Sequence, residues 1–167
     1  MAEESIKKII RQLKALKEKY GISYYSLNND DVLSDPKIDV IYVAVPNATH
    51  YEIAKKALEN GKHVIMEKPF TANYRQAKKL VDLAKEKGLL LAVFQQTFLA
   101  PFYRQAMELA KSGKLGRILQ VDVHYNGFAR RWDWQTLQKN CAGSLYNTGP
   151  HPVGIALGFL DFDPETR

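Results

Sequence analysis

Apolar residues in this chain recur first at helical spacing and then in short runs set between helices. Ile6, Ile9, Ile10, Leu13, Leu16 and Tyr20 mark one helix face, so residues 3–20 are predicted to be an amphipathic helix capped by Gly21. Residues 22–26 read as a short strand, and 28–33 as a polar turn or a single helical turn. The Asp35-Pro36 step prevents a helix from continuing there. Residues 40–45 are apolar on both faces, as an interior strand of a parallel sheet is. Thr49 caps a helix that runs through Leu58 and ends at Gly61, and a strand over 62–66 follows. Next come a helix over 71–87 with Ala77, Leu80, Val81 and Ala84 as its buried stripe, a strand over 89–94, and a helix over 101–112. This alternation predicts an α/β fold around a parallel sheet with right-handed crossovers.

Beyond Gly116 the spacing changes. Ile118, Gln120, Asp122 and His124 alternate with Leu119, Val121, Val123 and Tyr125, which predicts a strand of an antiparallel or half-exposed sheet. An Arg- and Trp-rich loop covers 130–134, and a last helix is expected over 151–160. A domain boundary is placed near residue 117, dividing the chain into 1–117 and 118–167. No internal repeat or low-complexity segment interrupts the pattern.

Composition adds exclusions. The hydrophobic fraction of 46% and charged fraction of 25% are those of a soluble globular chain. No apolar run is long enough to span a bilayer, so no membrane partner is expected. The acidic opening Met1-Ala2-Glu3-Glu4-Ser5 lacks the apolar core of a secretory signal, and a cytoplasmic location is the simplest expectation. A single cysteine, Cys141, rules out an internal disulfide and a cysteine-based metal cluster. The net charge of +6 suits an anionic ligand such as a dinucleotide. Much of that excess lies on the first helix, as a solvated face. Its basic residues are not interleaved with exposed aromatics, so nucleic acid is not an expected partner.

The chemistry-bearing residues cluster after strands, where open parallel sheets place their sites. Glu67 and Lys68 follow the strand over 62–66, and Pro69 makes Lys68-Pro69 a candidate cis peptide. Pro46, Asn47 and His50 follow the strand over 40–45. Asn147, Gly149, Pro150 and His151 form a third group. A lysine and a histidine in one crevice suit proton exchange with a substrate hydroxyl or carbonyl. Each also has a plainer reading: Lys68 as a surface lysine, His151 and His50 as residues near helix starts, and Trp132 and Trp134 as packing groups. Beside Arg130 and Arg131, the two indoles also suit a loop that covers a ligand.

Taken together, Ala44-Val45-Pro46-Asn47-Ala48-Thr49-His50, Gly61-Lys62-His63-Val64, Glu67-Lys68-Pro69-Phe70, Gly113-Lys114-Leu115-Gly116 and Gly143-Ser144-Leu145-Tyr146-Asn147-Thr148-Gly149-Pro150-His151-Pro152 resemble the glucose–fructose oxidoreductase / inositol dehydrogenase / MocA family. The resemblance runs from about Tyr20 onward. It implies a Rossmann-like NAD(P)-binding domain followed by an α/β substrate domain that often mediates oligomerisation. It implies NAD or NADP as cofactor, a sugar, polyol or related hydroxyl or carbonyl compound as substrate, and a homo-oligomer. By the same resemblance Lys68 binds substrate and assists proton transfer, His151 is the acid/base, and Asn147 stands where many members carry aspartate. Pro46, Asn47, His50, Glu67 and Gln95 would line the cofactor, and Tyr125 and Trp132 would face the substrate or nicotinamide.

The chain departs from that pattern in three places. No glycine precedes Gly21, so the glycine-rich turn that cradles a pyrophosphate is absent, and with it the residue that distinguishes NAD from NADP. Gly154 replaces a frequent aspartate. The family's further strands after Leu160 are not present, so the chain reads as a partial Rossmann-like sheet lacking its first strands, followed by the start of a substrate domain. The strand over 40–45 then lacks its usual neighbour. Strand 22–26 moves in beside it, another chain pairs with it, or solubility suffers. Two functions are compatible with these residues: a shortened oxidoreductase centred on Lys68, Asn147 and His151, or an inactive remnant serving as an oligomerisation or interaction module.

Overall fold

The computed structural model describes residues 2–128 and 130–160. The chain divides into two compact units, Met1–Ile38 and Asp39–Arg167.

In the first unit, α1 (Ala2–Tyr20) ends as its sequence predicts. Gly21 takes φ of 64°, and the Ile22 N–H closes back on the Lys17 carbonyl at 3.1 Å. Lys17 and Lys19 sit in the last turn, where cations complement the helix dipole. Residues 22–26 do not form the expected strand. Their polar groups are taken up locally instead: the Tyr24 hydroxyl donates to Asp35, the Ser26 hydroxyl donates to Asp31, and Ser26 Oγ accepts from the Asn28 N–H. Such short side-chain bonds compete with a ladder. Asn28 caps α2 (Asn29–Leu33) by accepting from the Asp30 N–H.

The second unit is built on three parallel strands in the order β1 (Val40–Val43), β2 (His63–Glu67), β3 (Leu91–Phe94). Val43 is in register with Met66, and Met66 with Val93, so the strand ends are level and the residues after them share one edge. Helix α3 (His50–Glu59) joins β1 to β2, and α4 (Tyr74–Glu86) joins β2 to β3. The two helices pack on each other. Ile41, Val43, Val64 and Met66 form the core with Ala54, Ala57, Leu58, Leu80 and Ala84. The fold is therefore the mixed α/β arrangement that the apolar spacing predicts.

Three details differ from the sequence expectation. Helix α4 starts at Tyr74 rather than 71, because Asn73 accepts from the Gln76 N–H while Gln76 Oε1 accepts from the Ala72 N–H, a reciprocal cap. Strand β1 is not buried on both faces: Ile41 and Val43 are buried, whereas Val40 and Tyr42 are 46% and 52% exposed. Residues 118–125 form no strand. Alternation supplies a face for packing, but a strand also needs a ladder partner, and none is present among the described residues.

After α5 (Pro101–Lys111), which opens with proline at its first position, the described residues form no helix or strand before short turns at 134–136 and 138–140. Two helices follow, α6 (Gly143–Asn147) and α7 (Pro150–Phe159). The Gly149 between them admits no side chain, because a Cβ there would stand 2.3 Å from the Leu145 carbonyl oxygen. No described helix is long and apolar enough to cross a membrane, and no three described His, Cys, Asp or Glu side chains cluster as metal ligands would.

Candidate functional site

The level ends of β1 and β2 open onto a cleft of about 350 Å³. Pro46 and Asn47 form its wall on the β1 side, Glu67 and Lys68 on the β2 side, and Trp134, Gln135 and Asn147 close it opposite. Lys68-Pro69 is cis. The Lys68 ammonium donates to the Asn147 backbone carbonyl at 2.8 Å, which anchors the amine at the C-terminal end of α6.

Asn47 reaches across the cleft. Its Nδ2 donates to the Cys141 carbonyl at 2.7 Å and to Asn147 Oδ1 at 3.1 Å. Asn147 Nδ2 in turn donates to the Gln135 carbonyl at 2.7 Å. The segment from 133 to 141 is thus strapped to the end of β1 through side-chain amides. Its conformation starts at Asp133, whose carboxylate accepts from the Gln135 N–H and pairs with Arg131. The Arg131 guanidinium, and then the Gln135 N–H, hold the Asp133 carboxyl below the usual carboxylate range.

His50 is 1% exposed, with Nδ1 2.7 Å from the Pro69 carbonyl and Nε2 3.0 Å from the Val45 carbonyl. It bridges the end of β1 to the turn after β2, and its ring nitrogens are occupied by backbone. Glu67 accepts from the Tyr42 hydroxyl, which raises the Tyr42 pKa, with desolvation and the Glu67 charge adding to the rise. Gln95, at the end of β3, turns toward α7 and donates to the Pro150 carbonyl at 2.6 Å, while its Oε1 is buried without a partner among the described residues.

His151 lies in the first turn of α7. Its Nδ1 is 2.7 Å from the Thr97 hydroxyl, and its ring lies parallel to that of Tyr125. Burial lowers its pKa from 6.5, the nearby Lys68 cation lowers it further, and Glu67 partly opposes both. An uncharged imidazole beside an ammonium can hold a substrate oxygen and exchange its proton.

A second cleft of about 380 Å³ takes in Tyr125 and Arg131 and shares Gln135 and Asn147 with the first. The structure thus brings Pro46, Asn47, His50, Glu67, Lys68 and Asn147 to one cleft, with Tyr125 at its neighbour. It does not bring Trp132 there: that indole is 94% exposed, and Trp134 lines the cleft instead, because the turn started by Asp133 directs it inward. Sequence reasoning missed Thr97 and Gln135. The Asp133 turn was a local signal for Gln135; Thr97 had none.

Two family models match the chain consecutively: the oxidoreductase family, NAD-binding Rossmann fold, over residues 5–95, and the GFO/IDH/MocA C-terminal domain over 103–166. An uncharacterised oxidoreductase of Schizosaccharomyces pombe is 36% identical over 130 residues, 77% of this chain and 35% of that protein. The NADP(+)-dependent scyllo-inositol 2-dehydrogenase of Bacillus subtilis is 32% identical over 130 residues, 77% of this chain and 36% of the enzyme. The crystal structure of an NAD-binding protein from Listeria innocua superposes with a TM-score of 0.78 at 29% identity, covering 90% of this chain and 43% of that one. The chain spans less than half the length of each of these relatives. On the two consecutive matches, it belongs to the glucose–fructose oxidoreductase / inositol dehydrogenase / MocA family of NAD-binding oxidoreductases.

Proposed function

We propose that this chain carries the reaction centre of an NAD(P)-dependent oxidoreductase that acts on a hydroxyl or carbonyl group of a sugar, polyol or related compound. The observation that carries this is the Lys68 ammonium, held at the strand-end cleft by the carbonyl of Asn147, four residues before His151. The cleft volume lies in the range of small-molecule sites and suits one nucleotide-sized half of a dinucleotide. Pro46, Asn47, Glu67 and Trp134 would hold the nicotinamide side. For the pyrophosphate, the chain offers no glycine-rich turn before Gly21, so the residues present fit only part of the cofactor.

A bound nicotinamide supplies or accepts the hydride. The chain's own residues handle the oxygen and its proton. Lys68, held by the Asn147 carbonyl, donates to the substrate oxygen, and His151 completes the pair on the α7 side. Tyr125, stacked on His151, lines the neighbouring cleft, where the rest of a substrate would lie. The division near residue 117 belongs to the same proposal, and the two consecutive family matches support a two-part organisation.

Fluorescence titration of the full chain with NADH and NADPH tests this function. Micromolar binding is expected for one of them; no binding up to millimolar concentration overturns the proposal for this chain. Self-association is also proposed, because β1 has only β2 as a strand neighbour among the described residues. Sedimentation velocity checks it, and a concentration-independent monomer would contradict it.

A further inference from the structure

Thr97 sits in the single turn 96–99 after β3, 54 residues before His151 in the chain. It is 7% exposed, and its Oγ1 lies 2.7 Å from His151 Nδ1. A buried hydroxyl needs an acceptor for its proton, and leaving that proton unpaired is costly. Among the described residues, His151 Nδ1 is the partner of this hydroxyl. A carboxylate from the next turn of α7 is not there to orient the ring: position 154 is glycine, and a Cβ on it would stand 3.0 Å from the Phe98 ring.

We propose that the Thr97 hydroxyl donates to His151 Nδ1 and so fixes the neutral ring as the Nε2–H tautomer, which makes Thr97 the positioning residue of the site. Tyr125 supports the same orientation from the ring face, at 6.3 Å between centroids and 5° between planes. The charged groups that act on His151 are Lys68 and Glu67, from the end of β2 and the turn after it. The turn that carries Thr97 contributes only the hydroxyl.

Such a ring presents an N–H and takes a second proton at Nδ1 only if the Thr97 hydroxyl turns to accept from it, which leaves the buried hydroxyl proton without its acceptor. His151 is then the hydrogen-bond donor to the substrate oxygen, and Lys68 is the group that exchanges the proton. This division of roles rests on the proposed oxidoreductase function; the tautomer does not.

Long-range ¹⁵N–¹H NMR of the labelled full chain without ligand tests the tautomer. The His151 resonances are assigned by their loss in His151→Asn. The expected spectrum has a proton-bearing Nε2 and a bare Nδ1. Thr97→Val should mix the tautomers and raise the His151 pKa, since it removes a bond that favours the neutral ring. Thr97→Ser should keep the wild-type pattern. A proton on Nδ1 in the wild type, or an unchanged ring in Thr97→Val, overturns the assignment. If the valine variant does not fold, the wild-type spectrum still decides. Absence of both NADH and NADPH binding alongside the expected tautomer would sink the proposed function and leave this inference standing.

Discussion

Asn47 and Asn147, 100 residues apart, meet through one hydrogen bond, from Asn47 Nδ2 to Asn147 Oδ1 at 3.1 Å. The bond has a fixed direction because each amide is also committed elsewhere, Asn47 to the Cys141 carbonyl and Asn147 Nδ2 to the Gln135 carbonyl. Asn147 must accept on one side and donate on the other, which an amide does and a carboxylate does not.

Asn147→Asp should therefore destabilise the chain, by about 1–3 kcal/mol, because its second oxygen would face the Gln135 carbonyl. Urea denaturation above the carboxylate range checks this. Equal midpoints for the variant and the wild type would show that the amide strap does not hold the segment from 133 to 141.

Lys68→Ala should lower turnover by roughly 10²–10⁴-fold, the usual contribution of a positioned proton-transfer group. Nicotinamide nucleotide affinity should change little, since the ammonium is committed to the Asn147 carbonyl on the substrate side of the proposal. Steady-state kinetics paired with NADH titration separates the two. Unchanged turnover removes Lys68 from the mechanism.

The parts of this structure that were legible in the sequence are those fixed by near neighbours. The helix caps at Gly21 and Gly61, the alternation from β1 to β3 and the cis Lys68-Pro69 bond each depend on a few consecutive residues. Residues 22–26 and 118–125 misled because a strand pattern describes faces, while a strand exists only with a ladder partner. Thr97 was silent for a related reason. A threonine after a strand is common, and its value here comes from a histidine 54 residues later. His50 lines the strand-end cleft as expected of a cofactor-side residue, while its ring nitrogens meet two backbone carbonyls that no local pattern reveals.

Trp134 and Trp132 should report ligand binding unequally. Trp134 lines the cleft and is 39% exposed, whereas Trp132 is 94% exposed and stands away from it. Energy transfer to bound NADH should survive Trp132→Phe and fall sharply in Trp134→Phe. The opposite pattern would place the ligand outside the strand-end cleft.

Stability should depend on pH through His151. Its folded pKa lies below the ordinary 6.5, so the unfolded chain takes up a proton more readily than the folded one. Unfolding is therefore favoured as the pH falls below about 6.5, and the loss levels off once the folded value is passed. Above that window His151 is neutral in both states and contributes no slope. His151→Asn should flatten this part of the curve in urea melts taken at successive pH values. An unchanged slope would assign the titration to another group.

Helix α7 packs through its glycines, and the two are not equally replaceable. A Cβ at Gly158 would lie 2.1 Å from the Tyr103 hydroxyl oxygen, whereas one at Gly154 would lie 3.0 Å from the edge of the Phe98 ring. Tyr103 has little freedom to withdraw: it is 8% exposed and its ring meets Phe98 at 5.4 Å and Phe159 at 6.4 Å. The preference of a helix for alanine over glycine, about 1 kcal/mol, works against these clashes at both positions. At Gly154 a shift of a few tenths of an ångström relieves the contact, so Gly154→Ala should be close to neutral. At Gly158 the overlap requires the ring or the helix to move, and overpacking of that kind typically costs about 1–3 kcal/mol. Gly158→Ala should therefore lower the thermal midpoint well below that of Gly154→Ala. Combining Gly158→Ala with Tyr103→Phe, which removes the clashing oxygen, should recover most of the loss. If it does not, the contact between α5 and α7 is not set by that hydroxyl.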